Sequence, residues 1–215
     1  PLLKRHQCLF GGGTAIALRF GEYRESVDID FLVSDLACYR NIRQLLSGKS
    51  GINAIVTSGA RALNQTRDLR MDQYGIRTQI DIDGQLIKFE IVHEARIRLD
   101  VPTDADQTCG VTTLSVLDMA ASKLLANADR WADESVFNRD VIDLGMMHVK
   151  LPILRAAILK TEVAYGESIQ LCLRHAVDKI QHKQGWLERC MQVMAMDAPK
   201  ALVWQRIRVL QKGLN

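Results

Sequence analysis

Proline is scarce in this chain, four residues in 215, and aromatic residues make up only 6% of it. No stretch approaches the roughly 18 consecutive apolar residues that span a bilayer, so no membrane partner is expected. The five cysteines form no Cys-x-x-Cys pair, which removes a zinc ribbon and a thioredoxin-type redox motif. They read instead as reduced thiols of a cytoplasmic protein. No internal repeat, low-complexity segment or signal peptide is visible in the sequence. The chain opens Pro-Leu-Leu without a Met, which leaves room for a short N-terminal piece, missing or processed. What remains is ordinary globular composition, 47% hydrophobic and 25% charged, and this excludes a disordered tail or a collagen-like scaffold.

The net charge of +3 divides unevenly: +2 over residues 1–100, −4 over 101–150 and +5 over 151–215. The basic C-terminal part, with Arg174, Lys179, Lys183, Arg189, Arg206 and Arg208, is the one best able to follow an RNA backbone, although an ordinary solvated helical face has the same composition. Texture divides too. Glycines, β-branched runs and short helical patterns mix up to about residue 100, and the chain then reads helical nearly to its end. The fold class expected is α+β. A mixed-sheet domain with flanking helices spans 1–105, and a helical domain spans 106–215 and completes an active-site cleft.

Within the first part, Gly11-Gly12-Gly13 leads into a short helix from Thr14 to Phe20, and Ser26–Val33 reads as a strand. A helix follows over Asp35–Leu46 and a strand over 52–58. Two β-rich arms around Asp83-Gly84, from Arg77 to His93, predict a hairpin with a type I′ turn. Beyond residue 105, helices are expected over Leu114–Asp129 and Ser135–His148. Three more fill 152–212, broken near Gly166, Gly185 and Pro199.

Asp28-Ile29-Asp30 is the strongest chemical signal. On a strand, positions i and i+2 share a face, so both carboxylates project together while Ile29 packs inward. Two acids so placed repel unless a cation lies between them, and hard oxygen ligands of this kind suit Mg²⁺ with substrate phosphates. Fifteen residues before Asp28 stands the glycine turn, whose backbone N–H groups and helix N-terminus suit a phosphate. The turn lacks the Lys-Ser/Thr ending of a Walker loop and does not match the dinucleotide Gly-x-Gly-x-x-Gly pattern. A phosphate-binding turn followed by a carboxylate pair is the layout of metal-assisted phosphoryl or nucleotidyl transfer. Glu90, in the apolar run of the second hairpin arm, is the natural third acid. If its strand lies beside that of Asp28 and Asp30, it can ligate a second metal and accept the proton of an incoming hydroxyl. Asp81 is a rival, and Asp83 ranks lower because it serves the turn.

These residues together carry a resemblance. Gly12-Gly13-Thr14, a short Ala/Leu helix, then Arg24-x-Ser26-x-Asp28-Ile29-Asp30-Phe31 resembles the opening motif of the AbiEii/AbiGii-type nucleotidyltransferase toxins, members of the polymerase β-like superfamily. Downstream, Lys123-Leu-Leu-Ala, Arg130 and Arg139-Asp140-Val-Ile-Asp143-Leu resemble the family's second conserved segment. The resemblance implies that Gly13 and Thr14, with Gly12, Arg24 and Ser26 of the motif, hold the nucleoside triphosphate. It implies that Asp28 and Asp30 bind Mg²⁺ and that Lys123 contacts phosphates. Asp140 would lie at the site edge or orient Lys123, and Arg139 and Asp143 could form a structural ion pair.

The expected function is therefore a Mg²⁺-dependent nucleotidyltransferase with a two-metal site at Asp28, Asp30 and Glu90. As the resemblance implies, it would be the toxin of a toxin–antitoxin or phage-defence system, with tRNA 3′ ends as acceptor and a cognate antitoxin as partner. The alternatives are a transferase acting on a small acceptor, as aminoglycoside nucleotidyltransferases do, and a non-catalytic nucleotide-binding module.

Overall fold

The computed structural model describes residues 2–214, and they divide into two compact units. Residues up to Ala15 together with Val27–Leu114 form the first, and Ile16–Ser26 together with Ser115 onward form the second.

The first unit contains α1 (Leu2–Arg5), β1 (Leu9–Gly11) and the start of α2 (Gly12–Arg19), whose last turns belong to the second unit. Next come β2 (Ile29–Val33), α3 (Leu36–Leu46) and four further sheet strands: β3 (Asn64–Gln65), β4 (Arg70–Met71), β5 (Gly75–Ile82) and β6 (Gln85–His93). A small separate ribbon pairs β7 (Gln107–Thr108) with β8 (Val111–Thr112). The main sheet runs β1-β2-β6-β5-β3, with β4 also on β5. Only β2 and β6 are parallel; the other pairs are antiparallel.

The hairpin forms where its sequence predicts. Asp83 and Gly84 both take positive φ, as a type I′ turn requires. Asp81 fastens the turn by accepting from the Gly84 N–H at 2.8 Å. Register then sorts the two faces. Phe10, Phe31, Ile91 and Ile76 pair in one lateral row, all buried, and Phe31 also packs on Phe10 and Phe89 with ring centroids 5.6 and 5.9 Å apart. The opposite face carries Asp30, Glu90 and Arg77. Period-2 alternation has thus made one oily face and one ionic face.

α3 matches its expected span, with Asp35 capping it by accepting from the Cys38 N–H at 2.7 Å. The strand expected at 52–58 is instead a 3₁₀ turn over Gly51–Ile55. Ile52 is buried there, and the Asn53 amide bonds both the N–H and the carbonyl of Leu63, so the segment has its partners without joining the sheet.

The second unit is helical: α4 (Val116–Arg130), α5 (Arg139–Met146), α6 (Leu151–Tyr165), α7 (Ser168–His182), α8 (Trp186–Val193) and α9 (Lys200–Leu210). Ser115 caps α4 by accepting from the Asp118 N–H, and α4 buries Met119, Ala120, Ala121, Leu124 and Leu125. The single helix expected over Ser135–His148 is broken. A 3₁₀ turn at Glu134–Val136 is followed by Phe137 and Asn138 in left-handed conformation, and only then by α5. The buried Asn138 side chain explains the break: it donates to the Trp131 carbonyl and accepts from the Trp186 indole at 2.7 Å. The breaks near Gly166, Gly185 and Pro199 do occur, but they separate four helices rather than three. All five cysteines are free, and burial pushes the thiols of Cys8 and Cys190 up to about 12.

Candidate active site

Asp30 and Glu90 are register partners across the parallel β2–β6 pair. Neighbouring strands lie about 4.8 Å apart, and paired residues share a face, so the two acids stand side by side. The row continues in both directions. Gly11 of β1 pairs with Asp30, Arg77 of β5 pairs with Glu90, and Arg70 of β4 pairs with Arg77.

Directly after Gly11 the chain turns into α2. Gly12 has φ +67°, and a Cβ placed on it would fall 2.3 Å from Asp30 Oδ2. Only glycine allows the backbone to lie this close to the carboxylate. Gly13 and the buried Thr14 follow in the first turn of α2, where backbone N–H groups lack intrahelical partners. Asp28 is half-buried and lies just before β2, which begins at Ile29 rather than Ser26. The Asp-Ile-Asp motif is therefore not all on one regular strand, and Ile29 is half-buried rather than in the core.

Glu90 does not face water. It is 8% exposed, and its carboxylate accepts from Arg77 Nε and Lys88 Nζ. Arg77 also reaches Asp72 at 3.2 Å. Asp81 is held at the hairpin turn, with the Asn64 amide and the Gly84 N–H on it, and pairs in register with Leu86 and Asn64 rather than with an acid. Asp83 pairs with Arg61 on the surface.

Among the described residues no three Asp, Glu, His or Cys side chains are gathered closely enough to hold a metal ion by themselves. The donor set is the adjacent Asp30–Glu90 pair, with Asp28 two residues before Asp30 along the chain. That set fits Mg²⁺, which is commonly held by one or two carboxylates and completed by substrate phosphates.

The other motif residues belong to the second unit. There Asp143, fully buried, accepts from Tyr23 Oη at 2.7 Å and from Arg24 through two bonds, Nε at 2.7 Å and Nη2 at 3.0 Å. Lys123 Nζ lies 2.7 Å from Asp143 and 3.0 Å from Asp140, and Arg130 grips Asp140 with two N–H groups. Ser26 ends the segment that carries Tyr23 and Arg24; backbone bonds join Glu25 to Met194 and Asp197 to Tyr23. Arg139 is exposed, so the expected Arg139–Asp143 pair gives way to Arg24–Asp143.

Opposite charges set the protonation of this cluster. Burial alone would raise Asp140, but Lys123 and Arg130 outweigh it and hold the carboxyl at about 2. Asp143 is likewise lowered, against its burial, by Lys123 and Arg24. Burial works to lower Lys123, yet Asp143 and Asp140 raise it above the usual range. Three cations thus meet two carboxylates. Arg130 belongs to the motif that the sequence shows, whereas Tyr23 as a member of the cluster, and Arg77 and Lys88 as partners of Glu90, carry no motif signal. For the last two a different signal exists, since 77, 88 and 90 share one sheet face once the hairpin register is set.

The fold matches solved structures with little identity. A "putative nucleotidyltransferase from H. pylori" is 14% identical at a TM-score of 0.53, covering 99% of this chain and 90% of that one. JHP933 from Helicobacter pylori is also 14% identical at 0.52, covering 99% and 87%. No curated protein matches this chain. The family described as nucleotidyl transferase AbiEii toxin, type IV toxin–antitoxin system, matches over residues 2–207, nearly the whole length. The glycine turn, the Asp30–Glu90 pair and the Lys123 cluster are thus features of a nucleotidyltransferase that belongs to the AbiEii toxin family.

Proposed function

We propose that this toxin transfers a nucleoside monophosphate from an NTP to an acceptor hydroxyl, with Mg²⁺ as cofactor. The acceptor is RNA, with the 3′ end of tRNA foremost, and a cognate antitoxin restrains the effect in the cytoplasm. The observation that carries this reading is the contact of Gly12 with Asp30 beside Glu90.

In this reading the N–H groups at the start of α2 receive the triphosphate, and the Gly12 backbone brings those phosphates against Asp30. Asp28, Asp30 and Glu90 supply the oxygen ligands. When bound, Mg²⁺ neutralises phosphate charge and makes the acceptor hydroxyl more acidic. The hydroxyl oxygen bonds to the α-phosphorus, the bond to the bridging oxygen breaks, and pyrophosphate leaves with that electron pair. Glu90 accepts the hydroxyl proton. Within the second unit, Asp140 and Asp143 hold the Lys123 ammonium in place.

The test is incubation with α-labelled NTPs and total RNA, beside Asp28→Ala/Asp30→Ala. Label should enter RNA with the wild type and Mg²⁺ and be absent with the variant, while circular dichroism of the two coincides. Full transfer, or undiminished toxicity, by the double variant would sink this mechanism.

A further inference from the structure

Beyond Glu90 the ionic face of the sheet opens into a cavity of about 700 Å³. Its lining includes Arg67, Arg70, Arg77 and Lys88, with Asp68 as the lone acid and Gln79 between them. All of these belong to the first unit. Arg77 and Lys88 are the residues that hold Glu90, so the cavity begins where the carboxylate pair ends.

Two features set this cavity apart from an ordinary solvated surface. Arg70 and Arg77 stand directly opposite each other on β4 and β5, and like charges in that position destabilise a strand pair. Arg77 is compensated by Glu90 and Asp72, but among the described residues neither Arg67 nor Arg70 has a carboxylate partner. The loop between β3 and β4 that carries Arg67 is also fastened in place. Thr78 Oγ1 donates to the Arg67 carbonyl at 2.6 Å, and the Thr66 N–H donates to the Gln79 carbonyl at 2.9 Å.

Position then assigns the ligand. Across the sheet the order is glycine turn, Asp30, Glu90, Arg77, Arg70, which places the cavity about 10–15 Å from the Asp30 strand at the usual strand spacing. In an in-line displacement, the entering and leaving groups lie on opposite sides of the phosphorus. If the triphosphate occupies the glycine turn, the acceptor enters from the Glu90 side, where the unpaired cations are. We infer that Arg67, Arg70 and Lys88 form a backbone-phosphate site for the acceptor, a single-stranded nucleic acid. This rests on the transferase reading above for the word acceptor. The charge also discriminates, because a polycationic acceptor such as an aminoglycoside would be repelled there while a polyanionic strand is drawn in.

The experiment measures anisotropy of a short fluorescein-labelled single-stranded RNA across a salt series, with NTP affinity measured in parallel. Arg67 and Arg70 are exposed, so Arg67→Ala/Arg70→Ala is expected to fold, and circular dichroism checks it. RNA binding should weaken about tenfold near 0.1 M salt, and the log–log salt slope should flatten by about 1.4 for two lost contacts. NTP affinity should not change, and Arg67→Lys/Arg70→Lys should restore the RNA affinity. Unchanged RNA affinity and slope in the Ala variant would overturn the proposal. So would an equal loss of NTP affinity, which would give the cavity to the nucleotide. RNA binding that depends on this pair, in a protein that labels no RNA, would instead defeat the transferase reading and leave the phosphate site standing.

Discussion

Gly12 and Asp30 are in contact, the glycine backbone lying where no side chain fits above the carboxylate. Asp30 in turn stands beside Glu90 across parallel strands. The turn that suits phosphate and the acids that suit a metal are therefore one object. A change at either residue should act on both functions.

Gly12→Ala separates this contact from simple backbone strain. Its Cβ would meet Asp30 Oδ2 at 2.3 Å, and φ is +67°. Gly21, at φ +93°, has nothing within 4 Å of the place a Cβ would take, so Gly21→Ala carries the strain without the clash. Both variants should lose about 1–2 kcal/mol of stability from the left-handed backbone. Only Gly12→Ala should also lose Mg²⁺-dependent nucleotide transfer. Transfer assays with both variants at matched folded concentrations decide it, and equal activity in the two would refute the contact's role.

Glu90→Gln removes the proposed base while keeping shape. Arg77 and Lys88 would then face a neutral amide. Transfer should fall about 10²-fold or more, the usual contribution of a positioned base, while NTP binding persists. Asp81→Asn should leave the rate nearly unchanged, since that side chain serves the Gly84 turn. A larger loss from Asp81→Asn than from Glu90→Gln would reverse the assignment.

The Asp83-Gly84 hairpin was legible because its turn chemistry and its period-2 arms agree. Once that hairpin sets the register of β5 and β6, Glu90 and Arg77 follow as neighbours. The pairing of β2 with β6 was not legible, because it joins residues sixty apart with no local signal. The break before α5 was hidden for the same reason: Asn138 yields its helical conformation to Trp131 and Trp186, partners remote along the chain or outside the local pattern. Asp143 belongs to a motif with one of its cationic partners, Lys123, yet the other, Arg24, lies 119 residues away. Local patterns revealed the acids and the glycines; which charges meet them depended on tertiary register.

Arg24, Tyr23 and Lys123 all converge on the fully buried Asp143. Removing the carboxylate leaves two buried cations without it, so Asp143→Ala should cost about 3–5 kcal/mol. Arg24→Lys should also destabilise, by less, because a lysine cannot reproduce the two-bond grip on Asp143. Urea unfolding measures both. An Asp143→Ala protein as stable as wild type would show that the cluster is not a structural element.

Asp140 should give the protein a specific acid sensitivity. Its folded carboxyl is held at about 2, below the ordinary 3.8. A depressed carboxyl stabilises the folded state above its unfolded value, and that contribution is lost as pH falls through the folded one. The window is therefore about pH 4 down to 2, and the shift corresponds to about 2 kcal/mol. Asp143 is shifted in the same direction, so the wild-type slope contains both groups. Asp140→Asn isolates one of them. The variant should be less stable than wild type at pH 7, since Lys123 and Arg130 lose their shared acid, and the gap should narrow as pH falls below 4. Unfolding free energies of both proteins from pH 7 to 2.5 supply the comparison. A gap that stays constant with pH would mean that Asp140 is not held ionised by Lys123 and Arg130.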